Sequence, residues 1–91
     1  MLVVVSYDIR DDRRRLRVHK LLEGFGRAVQ RSVFECDLTD AEYVWLRQRL
    51  ERLVEPGVDL VRYYRLCEGC VRRIEGVGGG PPERAAAYYV V

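Results

Sequence analysis

LVVVSYDIRDD, residues 2–12, is the stretch that decides the fold. An apolar run, Leu2 to Val5, leads through Ser6 and Tyr7 to an aspartate, Asp8. A short continuous apolar run of this kind fits a buried central strand. Asp11 or Asp12 can cap a following helix, on which Val18, Leu21, Leu22 and Phe25 fall in one stripe at helical spacing; Gly24 and Gly26 end it. Residues 27–37, RAVQRSVFECD, carry β-branched and aromatic residues with no breaker and read as one second strand.

TDAE, residues 39–42, is a capping-box pattern, so a second helix should start there, with Tyr43, Leu46, Leu50, Leu53 and Val54 as its core stripe. Pro56-Gly57 stops it, VDLVRYYRLC from Val58 reads as a third strand, and the shorter stretch Val71 to Val77 reads as a fourth. The expected class is α+β, a ferredoxin-like βαββαβ arrangement with one antiparallel sheet and both helices on one face. Residues 1–77 form that domain. GGGPP, residues 78–82, is a hinge, and ERAAAYYVV, residues 83–91, carries much apolar and aromatic weight for a tail, with a frayed end as the alternative to docking. It is expected to dock as a strand on a sheet edge, in this chain or in a partner.

Ninety-one residues make one domain that buries little surface alone, so association would help it. Nothing reads as a membrane span or a secretory leader, and with three cysteines structural disulfides are not expected, which points to a cytoplasmic protein. The net charge of +2 does not by itself argue for nucleic acid. Its distribution does more. Arg10, Arg13, Arg14, Arg15, Arg17 and Lys20 crowd the start of the first helix against Asp11 and Asp12. The helix dipole disfavours cations there, whereas anions are favoured, so the cluster reads either as a phosphate clamp or as a solvated face neutralised by Asp11, Asp12 and Glu23. On a helical projection Arg13, Arg17 and Lys20 point away from the core and Arg14 leans towards the apolar stripe.

Asp8, at the end of the first strand, can bind Mg²⁺ or Mn²⁺ or can satisfy turn amides. Asp11 and Asp12 already supply caps, which leaves Asp8 without an evident structural task. One carboxylate is a poor metal site, but a two-fold dimer would bring two copies together. His19, the sole histidine, lies off its helix's core stripe and reads as a surface residue. Cys67 and Cys70 have CxxC spacing and fall in a turn between two expected strands, where reduced thiols are the simpler reading than zinc or redox chemistry. Trp45 faces away from the core stripe, which suits an interface or a place under the tail.

YDIRDDRRRLRVHKLLEGFG, then VQRSVFECDLTDAE, then YRLCEGCVRRIE resemble the second of the two universal CRISPR-associated adaptation proteins, a family of small metal-dependent endoribonucleases. The resemblance implies a ferredoxin-like homodimer whose C-terminal strand is added to the partner's sheet, with Mg²⁺ (or Mn²⁺) bound at the interface by the residue matching Asp8. It implies catalytic roles for Asp8 and Tyr7 and nucleic-acid-binding roles for Arg15, Arg17 and Phe34, beside the Arg13 of the helix projection. Members also bridge dimers of the CRISPR integrase, so the implied partners are a second copy, the integrase and RNA or duplex DNA. The activity implied is endonucleolytic, and a non-catalytic duplex-binding scaffold stays open beside it. Where many members have an aromatic or basic residue directly before the VQ pair, this chain has Ala28.

Overall fold

The computed structural model describes residues 1–80 and the strand Tyr89–Val90. The element order is β1 (Leu2–Asp8), α1 (Asp12–Glu23), β2 (Arg27–Gln30), β3 (Val33–Asp37), α2 (Asp40–Leu53), β4 (Leu60–Leu66), a short α3 (Glu68–Val71), β5 (Glu75–Gly76) and β6 (Tyr89–Val90). The first six form the expected βαββαβ unit. Its sheet runs β2-β3-β1-β4 with every neighbouring pair antiparallel, so the apolar β1 is a central strand.

Alternation along β1 sorts its residues between two faces. Val3, Val5 and Tyr7 enter the core with Phe34 and Cys36 of β3, and the helices close over them with Val18, Leu22, Tyr43, Leu46 and Leu50. Both helical stripes are therefore placed as their spacing demands. Asp11 is the cap of α1 and accepts from the Arg14 amide; Thr39 and Glu42 complete the capping box of α2. The other face of β1 carries Val4, opposite Glu35 and Tyr64; then Ser6, opposite Val33 and Arg62; and last Asp8, opposite Leu60.

Three expectations are corrected. Residues 27–37 are not one strand but a hairpin that turns at Arg31 and Ser32, with a register shift between Ala28 and Gln30. Gly26 lets the two strands of that hairpin close on each other, since a Cβ there would stand 2.2 Å from the Glu35 carbonyl oxygen and 2.6 Å from the Cys36 sulfur of β3. The third expected strand starts at Leu60 and not at Val58, because the chain first makes a turn in which Val58 and Asp59 amides donate to the Glu55 carbonyl and Gly57 takes φ 87°.

The stretch from Val71 to Val77 is mostly not a strand: Glu68–Val71 is helical with Val71 buried, and only Glu75–Gly76 is extended. Those two residues pair in parallel with Tyr89–Val90 of the same chain. At the expected hinge Gly78 and Gly79 have φ of 73° and 66°; residues 81–88 and 91 lie outside the described residues.

Candidate nucleic-acid and metal site

Where β1 ends, the chain opens a cleft of about 810 Å³ lined by Tyr7, Asp8, Asp12, Arg15, His19 and Arg31, with Leu16 and Ser32. Asp8 is exposed at its mouth, and its carboxylate has no hydrogen bond or ion pair among the described residues. Tyr7, one residue earlier, points the opposite way and is 4% exposed. Its amide donates to the Ser32 carbonyl at 3.0 Å and its hydroxyl to the Arg31 carbonyl at 3.3 Å, so this one residue ties the β2–β3 turn beside Asp8.

The Tyr7 hydroxyl also stands 3.2 Å from His19 Nδ1. The other ring nitrogen of His19, Nε2, faces Glu23, 3.8 Å away. Burial pushes the Tyr7 phenol above its ordinary range; Arg15 opposes that shift and Glu23 adds to it. Tyr7 is thereby held as a neutral donor. His19 is not a plain surface residue, since its ring meets Phe34 edge-on at 5.1 Å.

Phe34 itself requires correction as a nucleic-acid contact. It is fully buried, 6.5 Å from the Tyr7 ring, because even-numbered positions of β3 face the helices. Its work is to support Tyr7 and His19 from beneath.

The arginines of α1 separate into two kinds. Arg14, as its lean towards the core suggested, makes a forked pair with Asp59, Nε to Oδ2 at 2.8 Å and Nη2 to Oδ1 at 3.1 Å, and also reaches Glu55 at 3.3 Å. Arg15 donates to the carbonyls of Ile9 and Arg10 at 3.1 and 3.2 Å and pairs with Asp12, bracing the segment after Asp8. Arg13 and Arg17 are exposed and have no ion pair among the described residues. Arg31 and Ser32, absent from the sequence reading, line the cleft because the hairpin turns there. Arg27 forms an ion pair with Glu35, 3.7 Å away, while Ala28 lies opposite Phe34.

Elsewhere, Trp45 is about half exposed, with the Phe25 ring at 5.7 Å and the Arg49 guanidinium 4.2 Å above it. No helix among the described residues is long and apolar enough to cross a membrane.

For a hard divalent cation, which takes one or two carboxylates plus waters and substrate phosphate, Asp8 fits as one ligand. No group of three or more His, Cys, Asp or Glu residues in the described chain forms a complete cage.

The model of the family "CRISPR associated protein Cas2" matches residues 1–74. The CRISPR-associated endoribonuclease Cas2 1 of Chloroflexus aurantiacus is 50% identical, with all of both chains covered. A CRISPR-associated endoribonuclease Cas2 of Thermus thermophilus is 42% identical over 86% of this chain and 83% of its own. Among solved structures, Streptococcus pyogenes Cas2 superposes with a TM-score of 0.75 at 37% identity, over 86% of this chain and all of that one. A chain of a partial Cas6-RT-Cas1–Cas2 complex shares the fold, with a TM-score of 0.74 at 23% identity, over 92% of this chain and 98% of that one. With a ferredoxin-like sheet ending in an unpaired Asp8 and a family match across most of its length, the chain belongs to the CRISPR-associated protein Cas2 family.

Proposed function

We propose that the protein is a cytoplasmic endonuclease of CRISPR adaptation, cutting phosphodiester bonds of RNA or duplex DNA with Mg²⁺ or Mn²⁺ held between the Asp8 carboxylates of two subunits. The observation that carries this reading is the placement of Asp8: exposed, without a partner among the described residues, on the sheet face that the helices leave open. The same face carries Leu60 and Tyr64, 47% and 48% exposed, which a second copy would cover. An isologous interface sets this face of one subunit against the same face of its partner, and with Asp8 beside the two-fold axis the two Asp8 carboxylates meet. The relatives named as endoribonucleases support the activity.

A divalent cation held there would supply Lewis-acid charge neutralisation at the scissile phosphate. The chain's own residues do the remaining work. Asp8 binds, and Tyr7 is a positioning residue that pins the Arg31–Ser32 turn and, through His19, the middle of α1. Arg15 holds the Ile9–Arg10 backbone that follows Asp8. Arg13 and Arg17 meet the phosphate backbone; of the tail expected to dock on a sheet edge only Tyr89–Val90 is described, paired with Glu75–Gly76 of the same chain.

Association with the CRISPR integrase, for which a Cas1–Cas2 complex of the same fold gives the precedent, adds the bridging role. The free cations on α1 equally favour a second reading, a scaffold that binds duplex DNA without cutting it. Replacing Asp8 with Asn separates the two. Loss of Mg²⁺-dependent cleavage, with nucleic-acid binding kept, supports the nuclease; cleavage that continues unchanged overturns it.

A further inference from the structure

Cys67 and Cys70 do not sit in a bare turn between two strands. Cys67 follows β4 directly and caps α3, its sulfur accepting from the Cys70 amide, with the two sulfurs 3.4 Å apart. Both residues are exposed, whereas the remaining cysteine, Cys36, is fully buried in the core. Gly69 leaves the space beside them open: a Cβ there would meet only the Cys67 sulfur, at 3.8 Å.

The sulfurs need to approach by only about 1.4 Å to reach bonding distance, a rotation of two side chains at one surface turn. They are also unequal. The Cys70 amide, which donates to the Cys67 sulfur, and then the contact between the two sulfurs hold the Cys67 thiol below the ordinary range, while the same sulfur contact pushes Cys70 up. An attacking thiol with a lowered pKa beside a resolving thiol is the arrangement that disulfide exchange requires.

We propose that Cys67 and Cys70 are a dithiol–disulfide couple that exchanges with low-molecular-weight disulfides such as oxidised glutathione. The Cys67 thiolate attacks one sulfur of that disulfide, forming a mixed disulfide and releasing one glutathione thiolate, which takes up a proton. Cys70 then loses its proton, attacks the Cys67 sulfur and expels the second glutathione. Two protein thiols are oxidised and one disulfide is reduced to two thiols.

The couple is separate from the Asp8 site. Leu66 pairs with Leu2 at one end of the β1–β4 ladder and Leu60 with Asp8 at the other, a separation of roughly 20 Å. What the disulfide would lock is the turn from which the chain leaves the sheet towards Glu75–Gly76 and its pairing with Tyr89–Val90.

The test treats the reduced full chain with oxidised glutathione at neutral pH, quenches by acid and reads intact mass and peptide maps. The expected product lacks two hydrogens and links Cys67 to Cys70 within one chain, with the buried Cys36 unoxidised. Cys70→Ser should stop at one glutathione on Cys67, because the resolving thiol is gone, and Cys67→Ser should form no internal disulfide. No internal disulfide in the unmodified chain, or a bond between subunits instead, would overturn the proposal.

Discussion

Arg14 of α1 grips Asp59 of the α2–β4 turn with two hydrogen bonds, 2.8 and 3.1 Å long, across 45 residues of sequence. The Asp59 side chain is wholly covered, and it also accepts from the Glu55 amide at 2.9 Å, so one carboxylate orders the turn and fastens it to the first helix. Arg14 therefore belongs to the fold and its neighbour Arg13 does not. Replacing Arg14 with Ala should lower Tm clearly, and Arg14→Lys nearly as much, because an ammonium cannot make the fork. Arg13→Ala should change stability by no more than about 0.5 kcal/mol, as for other exposed positions. Thermal unfolding followed by circular dichroism checks all three.

The same pair sets an acid limit. Its hydrogen bonds to Arg14 and then to the Glu55 amide hold Asp59 below the usual carboxylate range. A depressed folded-state value means that the contribution is fully present above the unfolded value of about 3.9 and is lost as pH falls through the folded one. The stability advantage over Asp59→Asn should accordingly be constant from neutral pH down to about 4 and shrink below it. Urea unfolding of both proteins across that range measures it, and an advantage that persists undiminished to the lowest pH would contradict the assignment.

Gly26 should tolerate no side chain. The contacts that a Cβ would make at 2.2 and 2.8 Å are with Glu35 and Cys36 backbone atoms of β3, which cannot rotate away. Gly26→Ala is expected to destabilise by about 1–3 kcal/mol, the usual range for overpacking. Gly24→Ala, whose added Cβ would stand 3.4 Å from the Leu21 carbonyl oxygen, should cost less in the same unfolding measurement.

Binding to a nucleic-acid duplex should depend on Arg13 and Arg17. Each arginine removed from a phosphate contact should lower the slope of log K against log salt by about 1 and weaken binding to all sequences alike. Fluorescence anisotropy of a labelled duplex over a salt series reads this. A slope that both replacements leave unaltered would take these two residues out of the interface.

Much of this molecule was legible because its boundaries are written in local chemistry. Asp11, Thr39 with Glu42, and Pro56-Gly57 mark helix ends by hydrogen bonding and backbone restriction, and the apolar spacing of α1 and α2 needs no tertiary knowledge. The hairpin at Arg31–Ser32 was not legible, because it turns without glycine or proline and no non-glycine residue takes positive φ among the described residues. The short helix after Cys67 was hidden likewise, its cap being a cysteine sulfur and not an oxygen.

At the site, Asp8 stood out because the caps near it were already provided. The part of His19 was missed because it depends on the reach of the Tyr7 phenol from another element. Its one sequence trace is the four-residue spacing from Arg15 and to Glu23, which puts all three on one side of α1. Phe34 was misjudged because strand parity decides its direction, and the parity follows from where the unforeseen turn lies.

The central claim is that two Asp8 carboxylates from different subunits serve one site, and mixed dimers test it most directly. Unmodified protein and Asp8→Asn protein are unfolded together in equal amounts, refolded and assayed for Mg²⁺-dependent cleavage, with dimer content checked by light scattering. If both carboxylates are required, only dimers of two unmodified subunits cut, and activity falls to about a quarter of the unmodified control. Activity at about half the control would show that each subunit cuts with its own Asp8 and would contradict the shared site.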